Sequence, residues 1–528
     1  MKAKAIMVQG TGSDVGKSIL VCALCRIFHQ EGLKVAPFKA QNMSNNSYVT
    51  IDGKEMGRAQ VVQAEAAGLL PTVEMNPILL KPTGNNGSQI ITMGKPLGHM
   101  TANEYYGNKD KMLEIAKESY SALSEQYDII VIEGAGSPAE INIRDNDIVN
   151  MKIAEIADAP VILVTDIERG GSFAWIVGTL ELLNSDERER VVGIIINKFR
   201  GDIGILEPGI DMLEERIGKP VLGVLPYFTD INIDDEDSVS LDKKDKRSGL
   251  MSRKISESQI EIVVIRLPRI SNFTDFEIFK REKDVCVRFV DNAQSIGKPD
   301  LIIIPGSKNT IGDLTFIKEN GIADMIKYIA RNGTKVIGIC GGYQMLGKEI
   351  NDPDETESEI TQIGGLGLLN AITTFRQVKN TYQVKARMSD NSFNSFILDG
   401  QTEEDFNTKF VISGYEIHMG ETELLNGASP FLKIIERSGK KVNLDDGAIS
   451  NDGKVIGTYV HGIFDNGEFR LKLINCLRRR KGLSFIQSEC LSKPDKESQY
   501  DKLADLFRKH IKMDLIYGLI DTNYTNLH

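Results

Sequence analysis

"QGTGSDVGKS", residues 9–18, joins the apolar run "AKAIMVQ" (3–9) to the stretch "SILVCALCRIF" (18–28). The run has strand composition, and the stretch carries apolar residues at helical spacing. A glycine-rich turn between a strand and a helix is a setting for phosphate, because its backbone N–H groups point inward and the helix terminus favours negative charge. The strict pattern GxxxxGK[ST] asks for glycine at position 11. Here that residue is Thr11, with Gly10 and Gly12 beside it, while Gly16, Lys17 and Ser18 are intact. The loop from Gly12 through Asp14, Val15 and Gly16 is therefore expected to cradle a nucleotide's phosphates. Lys17 is predicted to reach the β- and γ-phosphates, and Ser18 to offer its hydroxyl to Mg²⁺.

Outward from this loop the same alternation continues. "DIIVIEG" (128–134), "APVILVTD" (159–166), "VVGIIINK" (191–198) and "VLGVLP" (221–226) each carry an apolar run of strand length and are separated by helical stretches. Continuous apolar strands between helices predict a parallel sheet covered on both faces, an α/β domain over residues 1–235 with a P-loop NTPase-like core. A charged stretch without periodicity follows, "DINIDDEDSVSLDKKDKRSG" (230–249), and residues 236–257 are assigned to a linker. The strand pattern restarts with "EIVVIRLP" (261–268), "VCVRFV" (285–290), "LIIIPG" (301–306), "KVIGICGG" (335–342) and "KVIGTYVHG" (454–462). These predict a second parallel-sheet domain over residues 258–470. Residues 471–528 form a helical C-terminal extension, whose basic residues are assigned to solvated helix faces.

The chain has 528 residues, too many for one core, and is 41% apolar and 26% charged. Its net charge of −11 argues against a protein built to hold nucleic acid or an anionic membrane. Small anionic ligands need only a local positive site. No apolar run reaches membrane-spanning length, and "MKAKAIMVQG" enters a strand with no signal-peptide layout, so the expected location is cytoplasmic. The six cysteines show neither dense pairing nor metal-ligand spacing, and Cys22 and Cys25 fall in a helical pattern as core-facing residues.

Two further positions carry chemistry. Glu133 ends the strand "DIIVI" before Gly134, which puts a carboxylate at the sheet edge where ligands of open α/β folds collect, as a Mg²⁺ candidate. Asp52, in "IDGKEMGRAQ", is equally compatible with a plain Asp-Gly turn. In the second domain Gly338, Ile339, Cys340, Gly341 and Gly342 fill the GxSxG elbow spacing, with cysteine in the serine slot. An elbow lifts its side chain to the sheet edge, and the helix that starts there helps to hold a thiolate. Backbone N–H groups around Gly341 and Gly306 are the oxyanion-hole candidates. A cysteine nucleophile needs a base, and two histidines remain in play. His461, at the end of the apolar run "VIGTYVHG", can stand at the sheet edge beside the elbow, and His418, in "SGYEIHMGET", is polar in a strand-like setting and equally suits a substrate or core contact.

The loop "GTGSDVGKS" is similar to that of dethiobiotin synthetase. "PFKAQNMSNNS" (37–47), "DGKEMGRAQVVQAEAAG" (52–68), "NPILLKPTG" (76–84) and "EGAGSPAEINI" (133–143) resemble the cobyric acid synthase family, and the match extends to "DIERGGSFA" (166–174) and "PGSKNTIGDL" (305–314). This resemblance implies that Ser18, Asp52 and Glu133 form the Mg²⁺ set, that Lys39 faces the transferred phosphoryl, and that Asn197 and Lys198 lie near the adenine of ATP. The second domain resembles class I glutamine amidotransferases, which makes Cys340 the nucleophile and His461 the base. Many relatives carry a glutamate two residues after this histidine. Here Ile463 stands there, which leaves its orienting partner open between Asp465 and Glu416.

The resemblance further implies an acyl phosphate made from ATP, attacked by ammonia that L-glutamine supplies along a covered passage. The implied acceptor is adenosylcobyrinic acid a,c-diamide, amidated at its b, d, e and g carboxylates, and a homo-oligomer is compatible with this reading. Cobyrinic acid a,c-diamide synthase is the nearest rival. A nucleotide-dependent scaffold or switch protein is the rival outside enzymes.

Overall fold

The computed structural model describes residues 2–83, 87–233, 258–389, 393–398, 410–487 and 496–520. The predicted linker over 236–257 lies outside the described residues, as do Cys490 and His528. The chain divides into two compact units. The first comprises 1–44, 56–236 and 495–528, and the second 45–55 and 237–494.

The first unit is built on a six-stranded parallel sheet in the order Val221–Pro226, Val191–Phe199, Val161–Asp166, Lys4–Gly10, Ile129–Glu133 and Val35–Phe38. The central strands are buried along nearly their whole length, as unbroken apolar runs require. The phosphate-loop strand lies between Ile129–Glu133 and Val161–Asp166, and Val8 is in register with Glu133. That register brings the Glu133 carboxylate to the C-terminal edge of the sheet, where the loop begins. Cys22 and Cys25 are buried on helix Lys17–Gln30, as their spacing predicts. A smaller sheet of Gln41–Met43, Ile78–Pro82, Ser88–Thr92 and Lys95–Met100 belongs to the same unit.

The second unit holds a six-stranded sheet in the order Val285–Val290, Ile260–Ile265, Leu301–Ile304, Lys335–Ile339, Val455–Thr458 and Ala448–Ile449, parallel except for the last pair. A mixed sheet contains the long strands Ala371–Met388 and Ile412–Leu424. "VIGTYVHG", expected as one strand, is two. Val455–Thr458 stays in the parallel sheet, and Val460–His461 pairs with Ile412–Leu424. The break falls where the Thr458 hydroxyl accepts the Val460 N–H at 3.0 Å and Asp446 accepts the Tyr459 N–H, so these amides leave the ladder.

The C-terminal extension is shared between the units. Helix Gly467–Arg480 lies in the second unit, where Arg470 pairs with Glu282 at 2.8 Å and Arg478 with Asp284. Helices Lys496–His510 and Met513–Leu519 complete the core of the first unit. These basic residues therefore meet carboxylates of their own unit. Among the described residues no helix is long and apolar enough to cross a membrane.

Candidate active site

In the first unit the loop closes on its own residues. Gly16 caps helix Lys17–Gln30 with φ 103°, and a Cβ there would lie 2.1 Å from Asn197 Nδ2, so only glycine fits. Asn197 Nδ2 donates to the Val15 carbonyl at 2.8 Å. Lys198 Nζ donates to the Asp14 carbonyl and, at 2.9 Å, to Asp166. The two residues that the resemblance places near adenine thus hold the loop's backbone. Lys17 Nζ donates to the carbonyls of Gly12 at 2.9 Å and Gly136 at 3.1 Å.

Glu133 is the hub of this site. It is buried, and its Oε1 accepts from Ser18 Oγ and Lys39 Nζ, both at 2.8 Å. Its Oε2 accepts from Gln63 Nε2 at 2.5 Å and Gln60 Nε2 at 3.4 Å. A buried carboxylate needs such partners, since an unpaired one would be costly to desolvate. Beside the loop, a cavity of about 280 Å³ is lined by Thr11, Gly12, Ser13, Val15, Asp166, Arg169 and Trp175. Asp52 belongs to the second unit, where Thr50 donates to its carboxylate and Lys54 pairs with it at 2.9 Å. Burial tends to raise its pKa, but these partners together bring it below the ordinary value.

In the second unit Cys340 follows strand Lys335–Ile339 with φ 52° and ψ −110°, a backbone that a non-glycine residue rarely adopts. Its neighbours must be small. A Cβ at Gly342 would come within 2.0 Å of the Ile304 carbonyl oxygen, and one at Gly338 within 2.6 Å of that of Gly342. The elbow is fixed by the Cys340 N–H donating to the Thr458 carbonyl at 2.8 Å, and the thiol lies 3.5 Å from the Ile417 carbonyl. Gly306 and Gly341 crowd the same place. A Cβ on Gly306 would sit 3.3 Å from His461 Cε1, and one on Gly341 would sit 2.9 Å from the Ser307 nitrogen.

His461 is buried, with Nδ1 2.7 Å from Asp275 Oδ2, and the other carboxylate oxygen accepts the Gly462 N–H at 3.1 Å. Burial alone would lower the imidazole's pKa, but the Asp275 carboxylate, its hydrogen bond and the adjacent Cys340 push it up to about 10. The ring stacks on Tyr415 at 5.2 Å. His418 is the opposite case. Burial lowers its pKa to about 3, its Nδ1 lies 3.1 Å from the Gly420 carbonyl, and its ring stacks on Tyr459 at 3.7 Å. Asp275 thus favours the charged form of His461, whereas burial favours the neutral form of His418.

A profile described as "CobQ/CobB/MinD/ParA nucleotide binding domain" matches residues 6–241, and one described as "CobB/CobQ-like glutamine amidotransferase domain" matches residues 261–469. A protein named cobyric acid synthase from Moorella thermoacetica is 50% identical over 98% of this chain and 97% of its own length. Proteins of the same name from Clostridium botulinum (strain ATCC 19397 / Type A) and Clostridium tetani are each 51% identical, over 98% of this chain and 99% of theirs. The chain belongs to the cobyric acid synthase family.

As a member of the cobyric acid synthase family it is a glutamine-hydrolysing, ATP-dependent amide ligase with a nucleotide-binding and an amidotransferase domain. The structure gathers Ser18, Lys39 and Glu133 around the loop, and Cys340, His461, Gly306 and Gly341 around the elbow. Asp465 and Glu416 are the candidates that the sequence offers for orienting His461. Glu416 pairs with Arg437 at 2.8 Å, and Asp465 lies in the turn Ile463–Asp465. Asp275 stands against the ring. Sequence reading missed it because it lies 186 positions away, in "NFTDFEIF", with no local mark. Gln60 and Gln63 were also missed. Their signal was present as two glutamines one helical turn apart in the Val/Ala-rich helix Arg58–Ala66.

Proposed function

We propose that the protein amidates the b, d, e and g carboxylates of adenosylcobyrinic acid a,c-diamide, with ATP as phosphoryl donor and L-glutamine as nitrogen donor. The observation that supports this most directly is the pairing, on one chain, of a phosphate loop beside a buried Glu133 and a strained cysteine elbow beside a His461 held by Asp275. A carboxylate is a poor electrophile at neutral pH. Transfer of the γ-phosphoryl to it gives an acyl phosphate, which ammonia attacks to form the amide and release phosphate. Lys17 and Lys39 offset charge on the transferring phosphoryl, while the loop backbone orients the nucleotide.

The donor set at the loop fits Mg²⁺: the Ser18 hydroxyl and the Glu133 carboxylate are hard oxygens 2.8 Å apart, and Mg²⁺ is usually held by one or two carboxylates together with substrate phosphates and water. When bound, the ion supplies positive charge to the phosphate oxygens. Ser18 and Glu133 are the residues that would hold it. Asp52 joins them on the resemblance alone.

In the second unit the Cys340 thiolate attacks the side-chain amide carbon of glutamine. His461 gives its Nε2 proton to the departing ammonia and then takes one from the water that hydrolyses the glutamyl thioester, releasing glutamate. Asp275 holds the imidazole in the orientation that this exchange needs. The N–H groups around Gly306 and Gly341 receive the oxyanion.

The test compares nitrogen donors. Cys340→Ala is expected to abolish glutamine-supported amidation and glutamate release while keeping turnover with concentrated ammonia. Product analysis with each corrinoid acceptor completes it. Nitrogen gained only at the a and c carboxylates would reassign the protein to the earlier amidation, and an absence of glutamate release from the parent would favour the scaffold reading.

A further inference from the structure

Residues 45–55 are written into the nucleotide-binding half of the sequence, yet they cluster with the second unit. There, three consecutive residues reach both supports of His461. Asn46 Oδ1 accepts the Phe273 N–H at 3.2 Å, and the Ser47 N–H donates to Asn272 Oδ1 at 3.0 Å. Asn272 is the cap residue of the 3₁₀ helix Phe273–Arg281, but its side chain makes no capping bond to that helix. Asn46 satisfies the orphan amide in its place, from 227 positions away. The helix so capped carries Asp275, which holds His461. The second support is Tyr415, whose ring stacks on the imidazole. Its hydroxyl donates to the Ser47 carbonyl at 3.2 Å, and the Tyr48 ring leans on it at 5.3 Å.

The segment is fastened beyond these contacts. Lys379 pairs with Glu55 at 2.5 Å with both side chains buried, and Thr381 Oγ1 donates to the Gly53 carbonyl at 2.7 Å. Its two flanks run back into the first unit and carry Lys39 on one side and Gln60 and Gln63 on the other. All three donate to Glu133.

We propose that Asn46, Ser47 and Tyr48 are positioning residues of the glutaminase, and that segment 45–55 couples glutamine hydrolysis to occupancy of the phosphate site. A shift of Lys39 or of the two glutamines on Glu133 pulls on a short covalent segment whose middle sets Asp275 and Tyr415, and through them the imidazole beside Cys340. This rests on the glutaminase reading above and adds the element that sets its rate.

The test uses Asn46→Ala, which removes the cap, and Tyr415→Phe, which keeps the ring and loses only the hydroxyl, both in the full chain. Three quantities are measured: ammonia-supported amidation, glutaminase turnover with and without ATP plus the corrinoid acceptor, and the pH profile of Cys340 alkylation. Ammonia-supported amidation should stay within about twofold. Glutaminase turnover should fall by about tenfold or more, the alkylation profile should move, and stimulation by ATP and acceptor should disappear. Asn46→Asp retains the accepting oxygen and should restore the profile. Variants that keep the parent's glutaminase rate, pH profile and stimulation would overturn the proposal. Absence of glutaminase activity in the parent would instead remove the reading on which it rests.

Discussion

At the scale of single residues, the chemistry of the second unit turns on what faces His461. Its pKa is pushed up to about 10, well above the ordinary value, against the pull of burial and chiefly by Asp275. A raised histidine pKa contributes stability that is complete below about pH 6.5, the unfolded value, and is lost as pH rises through about 10. Asp275→Asn is therefore expected to weaken the second unit at pH 7 and to flatten its loss of stability between neutral and alkaline pH, measured by denaturant titration at several pH values. Glutaminase turnover should fall by roughly 100-fold or more, because the proton carrier loses its orientation and charge. A parent and variant with the same pH dependence would reject Asp275 as the partner of His461. Cys340 and His461 were legible as candidates because elbow glycines and a strand-end histidine are local patterns, although the pattern alone left His418 beside His461. Asp275 was not, since its meaning arises only when the chain brings residues far apart in sequence into contact.

At the scale of elements, strand, loop and helix at residues 4–30 were readable, and so was the parallel sheet, because unbroken apolar runs have few alternatives once helices separate them. What the pattern could not give was register. Only the alignment of Val8 with Glu133 and of Asp166 with Asn197 decides which strand ends meet the loop. Thr458 drawing the Val460 amide out of the ladder was likewise invisible in the apolar run "VIGTYV". The loop offers a sharp test at Gly16. Alanine there would face a left-handed backbone, worth about 1–3 kcal/mol of strain, and a Cβ 2.1 Å from Asn197 Nδ2. Gly16→Ala should therefore raise the ATP concentration needed for ammonia-supported amidation by about tenfold or more. Glutamate release without ATP should be spared, and unchanged nucleotide dependence would mean that the loop tolerates a different backbone there.

At the scale of the whole molecule, the sequence showed two α/β halves but could not tell which core the tail completes. An amphipathic helix announces that it has a partner, not which one. The structure gives Lys496–His510 to the first unit, where Tyr500, Leu503, Ala504 and Phe507 are buried in the same core cluster as Leu24 and Phe28. Arg26 pairs with Glu497 and Asp501, each at 2.7 Å, and Tyr500 donates to Glu65 at 2.9 Å. Beyond the helix, Ile511 bridges Gly223 and the Lys512 N–H donates to the Leu222 carbonyl at 2.8 Å, so the tail also covers the edge strand of the sheet. Two cores of this kind need not unfold together. Phe507→Ala removes a large buried ring and should cost about 3–5 kcal/mol, felt by the nucleotide-binding unit alone. In a calorimetric scan the transition that ATP shifts should move down in temperature, while the transition sensitive to Asp275→Asn stays in place. Ammonia-supported amidation should then fail at a lower temperature than glutamate release. If Phe507→Ala instead lowered the glutaminase transition, or neither, the tail would not be part of the first unit's core in solution.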